Sequence, residues 1–316
     1  MRIEGGFHTA YGELERRMKA LAEEEGDVFL PNPEPPGPAH YVLICMEPSL
    51  GWWARTADDA RSRVEAGFRD FLFSIEDFIL HVCVRRYLCE FEQRYHITDL
   101  SKGAMLIKRA GLARTRRYDR WYELLLEELH LCAAPSASII AIGSLVEQHL
   151  ERRRFPKPFT RVMHYSGQAG LARSAGVRGR EDNFEAFRGS VSLEDVLATA
   201  KAALQAAHTP SGIRDETLSR LNKNQLTNSR QQLIFIYKTR FEEIRSRGQL
   251  PQKPESEDSV RTTIVQVEMF AVQMVEAPVQ NRSGRETICP NSRQDAVPAR
   301  AELPDGQIPH SWSPTR

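Results

Sequence analysis

Four short apolar runs alternate with helical patterns along the first half of the chain, and this alternation constrains the fold more than any other feature. The runs cover residues 41–45, 95–97, 138–142 and 161–164. Strands that alternate with helices form a parallel sheet with helices on both faces. The sequence therefore predicts an α/β fold with three layers, α/β/α, around a central, mostly parallel four-stranded sheet, followed by C-terminal helices.

The helical patterns lie between and after these runs. Amphipathic spacing predicts helices over residues 7–25, 117–132, 192–207 and 213–247. Ser74 is a predicted N-cap for a helix that continues to about residue 94, and Ser144 with Glu147 has the spacing of a capping box. The Asp- and Arg-rich stretch between the first run and residue 67 is predicted to be a loop.

The 316 residues suffice for one domain with appendages. We expect an α/β domain over residues 1–190, a helical extension over 191–250 and a disordered tail over 251–316, which is rich in Pro, Ser, Glu and Gln. The five cysteines include no Cys-x-x-Cys pair, which favours reduced thiols in a cytoplasmic protein and no metal site. Since no apolar run approaches the ~20 residues that span a bilayer, we expect no membrane partner.

Charge is unevenly distributed, although the formal net charge is only +1. Residues 152–180 carry eight Lys or Arg and no Asp or Glu, and residues 102–120 carry a single acid, Asp119. A single-sign patch favours a polyanion such as DNA as the partner. A solvated charged face is the alternative, and charge therefore cannot identify the function by itself.

Polar side chains follow three of the predicted strands. Glu47 comes after the first strand and directly before Pro48, which stiffens the loop. Asp99 follows the second strand, and His164 follows the fourth. The carboxyl ends of parallel strands meet at one edge of a sheet, where open α/β folds bind their ligands. Each residue also has a structural interpretation, as a surface charge, a local turn or a buried histidine.

The order of these motifs resembles the uracil-DNA glycosylase superfamily, over residues 41–180. The matching stretches are Cys45-Met46-Glu47-Pro48-Ser49, Leu72-Phe73-Ser74, Thr98-Asp99-Leu100-Ser101-Lys102, Ile139-Ile140-Ala141-Ile142-Gly143 and His164-Tyr165-Ser166. The resemblance implies a DNA glycosylase that flips a base out of DNA and hydrolyses its N-glycosidic bond without a cofactor or a metal.

The resemblance also implies roles for single residues. Glu47 would orient water and stabilise the sugar cation, and His164 would donate to the departing base. The residues expected to contact the base are Met46, Ser49, Phe73 and Asp99. Phe73 would stack on it, with an ordinary core position as the alternative. The residues expected to bind DNA are Lys102, Ser166, Gln168, Arg173, Arg178 and Arg180. Gln168 and Leu171 are the candidates for a wedge in the duplex.

Two departures from the family pattern bear on the substrate. Asp99 replaces a base-reading Asn. A carboxyl group accepts from the N4 amine of cytosine and, when protonated, donates to N3. Such protonation needs a raised pKa, which a dry pocket beside Glu47 would give to Asp99. Ser49 stands where uracil enzymes place a Tyr that blocks C5. Together they predict excision of a 5-modified cytosine, hydroxymethylated or glucosylated, in anti-phage defence. A uracil-DNA glycosylase of base-excision repair and a non-catalytic DNA-binding module are the alternatives.

Overall fold

The computed structural model describes residues 4–34, 37–51, 53–106, 114–165 and 170–249. The strands are β1 (Val28–Phe29), β2 (Ala39–Cys45), β3 (Ser49–Leu50), β4 (Tyr95–Asp99), β5 (Gly103–Leu106), β6 (Ala133–Ile142) and β7 (Phe159–Val162). The helices are α1 (Glu4–Glu24), α2 (Ala57–Glu65), α3 (Ile75–Cys83), α4 (Arg114–Cys132), α5 (Ser144–Arg152), α6 (Gly170–Val177), α7 (Glu181–Phe187), α8 (Leu193–Ala206), α9 (Ser211–Leu221) and α10 (Asn228–Gln249).

The central sheet has the strand order β4-β2-β6-β7, and every neighbouring pair is parallel. The register places Cys45 opposite Asp99, and Ile142 opposite Val162. All the strands therefore end at the same edge of the sheet. The predicted α/β fold with a parallel four-stranded sheet between helical layers is confirmed.

A second, smaller sheet lies outside the prediction. It has the order β1-β5-β3, in which β1 is antiparallel and β3 parallel to β5. Its outer strands, β1 and β3, have two residues each, which is too short for an alternating hydrophobic pattern to reveal them in the sequence. This sheet fixes the chain that follows the carboxyl ends of β2 and β4.

The central sheet is covered on both faces because alternate side chains of β2 point in opposite directions. Leu43 and Cys45 belong to the hydrophobic cluster that includes α3, α8 and α10. Val42 and Ile44 belong to the cluster formed with α4 and α5. Tyr237 of α10 is fully buried in the first cluster. The helices after residue 190 therefore share the core of the sheet rather than standing apart from it.

Three helix predictions needed correction. The helix that begins after Ser74 ends at Cys83, with a π-helical turn over Val84–Leu88, and stops short of residue 94. The single helix predicted over residues 213–247 is two helices, α9 and α10, because residues 222–227 between them are polar except for Leu226 and do not form an apolar helical face. Helix α2 lies within the predicted loop, and its only buried residue is Ala60, so it carries little amphipathic signal.

Of the two predicted helix caps, one is confirmed and one is wrong. The Ser74 hydroxyl accepts from the Asp77 N–H at 3.0 Å, and the Asp77 carboxylate accepts from the Ser74 N–H at 2.7 Å, which confirms Ser74 as an N-cap. The capping box predicted from Ser144 and Glu147 is wrong. Gly143 is the N-cap of α5, has φ of 101°, and supplies no side chain to cap the helix.

Three further expectations concern the cysteines, membrane-spanning helices and the tail. Cys45, Cys83 and Cys132 are buried free thiols, and Cys89 is half-buried. In the ranges described, no helix combines the length and apolar content that a membrane span requires. Residues 251–316 and Cys289 lie outside the described residues, so the predicted disorder of the tail stays a prediction.

Candidate active site

The carboxyl edge of the central sheet brings together the three residues that follow its strands. Asp99 ends β4, Glu47 follows β2 by two residues, and His164 follows β7 by two residues. Backbone hydrogen bonds join the strand ends: the Leu100 N–H donates to the Cys45 carbonyl at 2.9 Å. The three side chains therefore start from one edge of one sheet, with β6 between the strands that precede Glu47 and His164.

Glu47 is held by two residues of α4. The Arg114 guanidinium donates to Oε1 from Nε at 3.0 Å and from Nη2 at 2.7 Å, and the Tyr118 hydroxyl donates to Oε2. Burial, followed by the negative charge of Glu47, raises the pKa of Tyr118, so its hydroxyl keeps the proton that it donates. The Glu47 side chain is only 3% exposed. It is therefore a charge-compensated carboxylate with a fixed orientation.

Arg114 and Tyr118 lie outside the residues predicted for the site. They are four residues apart at the start of α4 and so share one face of the helix. The spacing shows in the sequence that Arg114 and Tyr118 can act together. It does not show that they contact Glu47, which lies 67 residues away from Arg114.

Asp99 forms a carboxyl–carboxyl pair with Asp70, a residue from the loop before α3 that the sequence analysis missed. Both are nearly buried, with exposures of 4% and 5%. Burial raises the pKa of Asp99, and the negative charge of Asp70 raises it further. Burial also raises the pKa of Asp70, whose Oδ1 accepts from the Phe71 N–H at 2.8 Å. The protonated form of Asp99 is therefore favoured, and its carboxyl group donates a hydrogen bond to Asp70.

The expected rise in the pKa of Asp99 is confirmed, and burial is its largest cause, as expected for a dry pocket. The neighbouring acid that disfavours ionisation is Asp70, whereas the prediction named Glu47. Glu47 points toward α4 and is neutralised there by Arg114. The two acids at this edge therefore have different surroundings, because Glu47 contacts a guanidinium group whereas Asp99 faces a second carboxyl group.

His164 lies in a close-packed position at the ends of β6 and β7. Its ring stacks on Tyr165, with 4.9 Å between ring centroids and an interplanar angle of 7°. A Cβ atom at Gly143 would stand 3.2 Å from the Cβ of His164, so this approach requires glycine. Burial, with a smaller effect of Arg173, lowers the pKa of His164 to about 4. The imidazole is therefore neutral near pH 7.

A buried polar network lies beside the site, between β4 and α4. Glu128 is fully buried and accepts from Thr98 Oγ1 at 2.8 Å, while its carboxylate lies 2.9 Å from Lys102 Nζ and from His96 Nε2. Burial raises the pKa of Glu128, but Lys102 and His96 outweigh it and lower that pKa to about 2. Lys102 is 2% exposed. The prediction that Lys102 binds DNA is wrong, because its ammonium is buried in this network.

The remaining residues expected to contact the base have packing roles of their own. Met46 is half-buried against the cluster under α4, and Ser49 is half-buried in β3 with its carbonyl accepting from the Trp53 indole N–H at 2.8 Å. Phe73 stacks on Phe68 at 5.2 Å between ring centroids. Their contacts with a base stay predictions.

Arg173, expected to bind DNA, is 2% exposed. It donates to the Tyr165 carbonyl and, at 3.1 Å, to Ser229 Oγ of α10. The prediction of a phosphate contact is wrong for this residue, because its guanidinium is enclosed. Its role is to brace the segment that carries His164 against α10.

The other DNA-binding predictions fall on the surface or outside the described ranges. Arg178 is exposed, and Arg180 is half-buried with its guanidinium carbon 5.5 Å from the centroid of the Phe235 ring. Ser166 and Gln168 lie outside the described residues. Leu171, the alternative wedge candidate, is 91% exposed at the start of α6.

Within the described ranges, no group of three or more His, Cys, Asp or Glu side chains is arranged to hold a metal ion. Comparisons with protein-family models, curated proteins and solved structures found no match to this chain. What the protein does is therefore inferred from the residues at its own sheet edge.

Proposed function

We propose that this protein is a DNA glycosylase that flips a 5-modified cytosine out of DNA and hydrolyses its N-glycosidic bond, leaving an abasic site. Hydroxymethylated and glucosylated cytosines of phage DNA are the proposed bases, and defence against such phages is the proposed setting. The observation that carries the proposal is the placement of Glu47, Asp99 and His164 at the carboxyl ends of β2, β4 and β7, along one edge of a parallel sheet. These side chains match the three requirements of the reaction.

The first requirement is stabilisation of the sugar. When the bond from C1′ to the base breaks, its electron pair leaves with the base and C1′ becomes an oxocarbenium-like cation. A preorganised carboxylate stabilises that charge and orients the attacking water. Glu47 is held ready by Arg114 and Tyr118. The water oxygen then bonds to C1′, and its proton balances the charge on the departing base.

The second requirement is a donor for the base, which gains negative charge as it leaves. A neutral imidazole donates a hydrogen bond through its N–H group without losing a proton. The lowered pKa of His164, about 4 because of burial and Arg173, keeps it in this form. Its packing on Tyr165 and Gly143 holds the ring in place.

The third requirement is recognition of the base. Since Asp99 donates its hydrogen bond to Asp70, and not to N3 of the base as expected, its Oδ2 is left as an acceptor. The N4 amine of cytosine donates to an acceptor, whereas O4 of uracil would face it acceptor to acceptor. The protonated acid pair therefore supports a cytosine-type base over uracil.

The test of this proposal is excision from oligonucleotides that carry uracil, cytosine, 5-hydroxymethylcytosine or its glucoside, followed by alkaline cleavage of abasic sites. We expect strand scission at the modified cytosines. Scission at uracil alone would establish the base-excision-repair alternative. Intact strands with every base, together with retained affinity for DNA, would establish the non-catalytic DNA-binding module.

Asp99→Asn is expected to lower excision of cytosine-type bases by about 10²-fold or more and to admit uracil, because an amide presents both a donor and an acceptor. Single-turnover rates on the four oligonucleotides measure this. Asp77→Asn is the matched control, since Asp77 is also 3% exposed and burial raises its pKa to about 7. An unchanged base preference in Asp99→Asn would contradict base reading by Asp99.

Ser49→Tyr is expected to abolish excision of bases with bulky 5-substituents, by roughly 10²-fold or more, and to spare smaller bases through a steric clash at C5. The measurement is the ratio of single-turnover rates on glucosylated and unmodified cytosine. Ser49→Ala, which adds no bulk, serves as the control. An equal loss on all substrates would show that the tyrosine disturbs β3 instead of filling a pocket.

A further inference from the structure

A cleft of about 820 Å³ opens between the carboxyl ends of β6 and β7 and the side of α10. Its lining includes the arginines Arg161, Arg180, Arg240 and Arg247, and we call it the arginine cleft. His164 lines it as well. The arginine cleft therefore shares His164 with the candidate active site.

The charges in the arginine cleft do not cancel. Its lining carboxylates pair with two of the arginines: Glu147 Oε2 lies 3.1 Å from Arg161 Nε, and Glu243 Oε2 lies 2.6 Å from Arg240 Nη1. Arg180 and Arg247 form no ion pair with a carboxylate in the part of the chain that the structure describes. His164 adds no charge, since its pKa is lowered to about 4 by burial and by Arg173. The cleft therefore presents a net positive surface.

The arginine cleft also has the shape and lining for a nucleotide chain. Guanidinium groups bind phosphate oxygens bidentately, and the apolar side chains of Phe159, Met163 and Ile236 provide a surface for sugars. Ala172 lines the cleft, and its neighbour Leu171 is 91% exposed. An exposed leucine beside arginines is the arrangement with which proteins unstack DNA bases.

We propose that the arginine cleft binds the phosphodiester backbone of the DNA strand next to the extruded nucleotide, which makes α10 part of the DNA interface. This inference rests on the proposed glycosylase function and specifies how the flanking strand is held. Arg240 and Arg247 supply the phosphate contacts from α10. That helix lies outside residues 41–180, to which the family resemblance is limited.

The test compares two double variants that remove the same charge. Arg240→Gln with Arg247→Gln alters the cleft, and Arg61→Gln with Arg214→Gln removes two surface arginines that do not line it. Affinity for a fluorescent single-stranded oligonucleotide is measured over a salt series. The cleft variant is expected to bind about tenfold more weakly at low salt, with a salt slope smaller by about 0.7 for each lost contact. The control is expected to bind like the wild type.

The outcomes separate this inference from the glycosylase proposal. If the wild type excises the base and both double variants have the same affinity and salt slope, the proposed DNA binding by the arginine cleft is overturned, whereas the proposed glycosylase activity stands. If only the cleft variant loses affinity and the wild type excises no base, the proposed DNA binding by the arginine cleft is supported and the proposed glycosylase activity is rejected. The single variant Arg247→Gln, at an exposed position, provides the same comparison if the double variant does not fold.

Discussion

Replacing Glu47 with Gln is expected to slow single-turnover excision by about 10²–10⁴-fold while the affinity for DNA changes by less than about threefold. The amide keeps the size of the side chain but loses the negative charge that stabilises the sugar cation. Since the side chain is only 3% exposed and lies against Arg114, it contributes little to the DNA-facing surface. Rapid-mixing kinetics and equilibrium binding, measured on the same oligonucleotide, give the two numbers.

The controls for Glu47 come from the same helix. Tyr118→Phe removes one donor to the carboxylate and is expected to cost roughly tenfold in rate, because the carboxylate loses part of its fixed orientation. Asp119→Asn removes a carboxylate that pairs with Arg152 and is expected to change neither rate nor affinity. A loss of rate in Glu47→Gln that is matched by an equal loss of affinity would show that Glu47 binds DNA instead of acting on the bond.

Glu128→Gln is expected to lower the free energy of unfolding by about 3–5 kcal/mol, since it leaves the buried Lys102 ammonium without a compensating charge. Urea or guanidinium unfolding measures the change. Glu127→Gln is the matched control, because this neighbouring carboxylate pairs with Arg17 at the surface, where both side chains are 42% exposed. An exposed pair of this kind contributes less than about 1 kcal/mol. Equal effects of the two substitutions would contradict the buried network.

The same network predicts how stability depends on pH. Burial alone would raise the pKa of Glu128, but Lys102 and His96 lower it to about 2, against an ordinary value of 4.5. Unfolding raises that pKa, so the ionised carboxylate stabilises the fold fully above pH 4.5, and this contribution is lost as pH falls toward 2. Between these values the wild type is expected to lose more stability than Glu128→Gln. Parallel stability curves for the two proteins would show that Glu128 does not titrate this way.

The sheet and its edge could be predicted because their signals are local. Each central strand is a short apolar run, and the residues that follow it lie at its carboxyl end whatever the rest of the chain does. The positions of Glu47, Asp99 and His164 at one edge follow from this reasoning. The strand before His164 was placed two residues late, since β7 begins at Phe159, where proline and basic residues obscure the apolar pattern.

The partners of these residues could not be predicted, because they come from distant parts of the chain. Lys102 shows the difference: its sequence position suggests a cation that reaches DNA, yet it is 2% exposed and paired with Glu128. Arg173 likewise belongs to a basic stretch and is enclosed beneath the segment that it braces. The sequence shows which residues are charged, but only the packing of the folded chain shows which of these charges are exposed to solvent.

By itself, the sequence determined the parallel sheet and the identity of the polar groups at its edge, since strand patterns and strand ends are properties of neighbouring residues. Only the tertiary structure decided the charge states of those groups. Arg114 pairs with Glu47, burial and Asp70 raise the pKa of Asp99, and burial keeps His164 neutral. Protonation depends on the charges and the solvent around a group, and both are set when distant segments pack together.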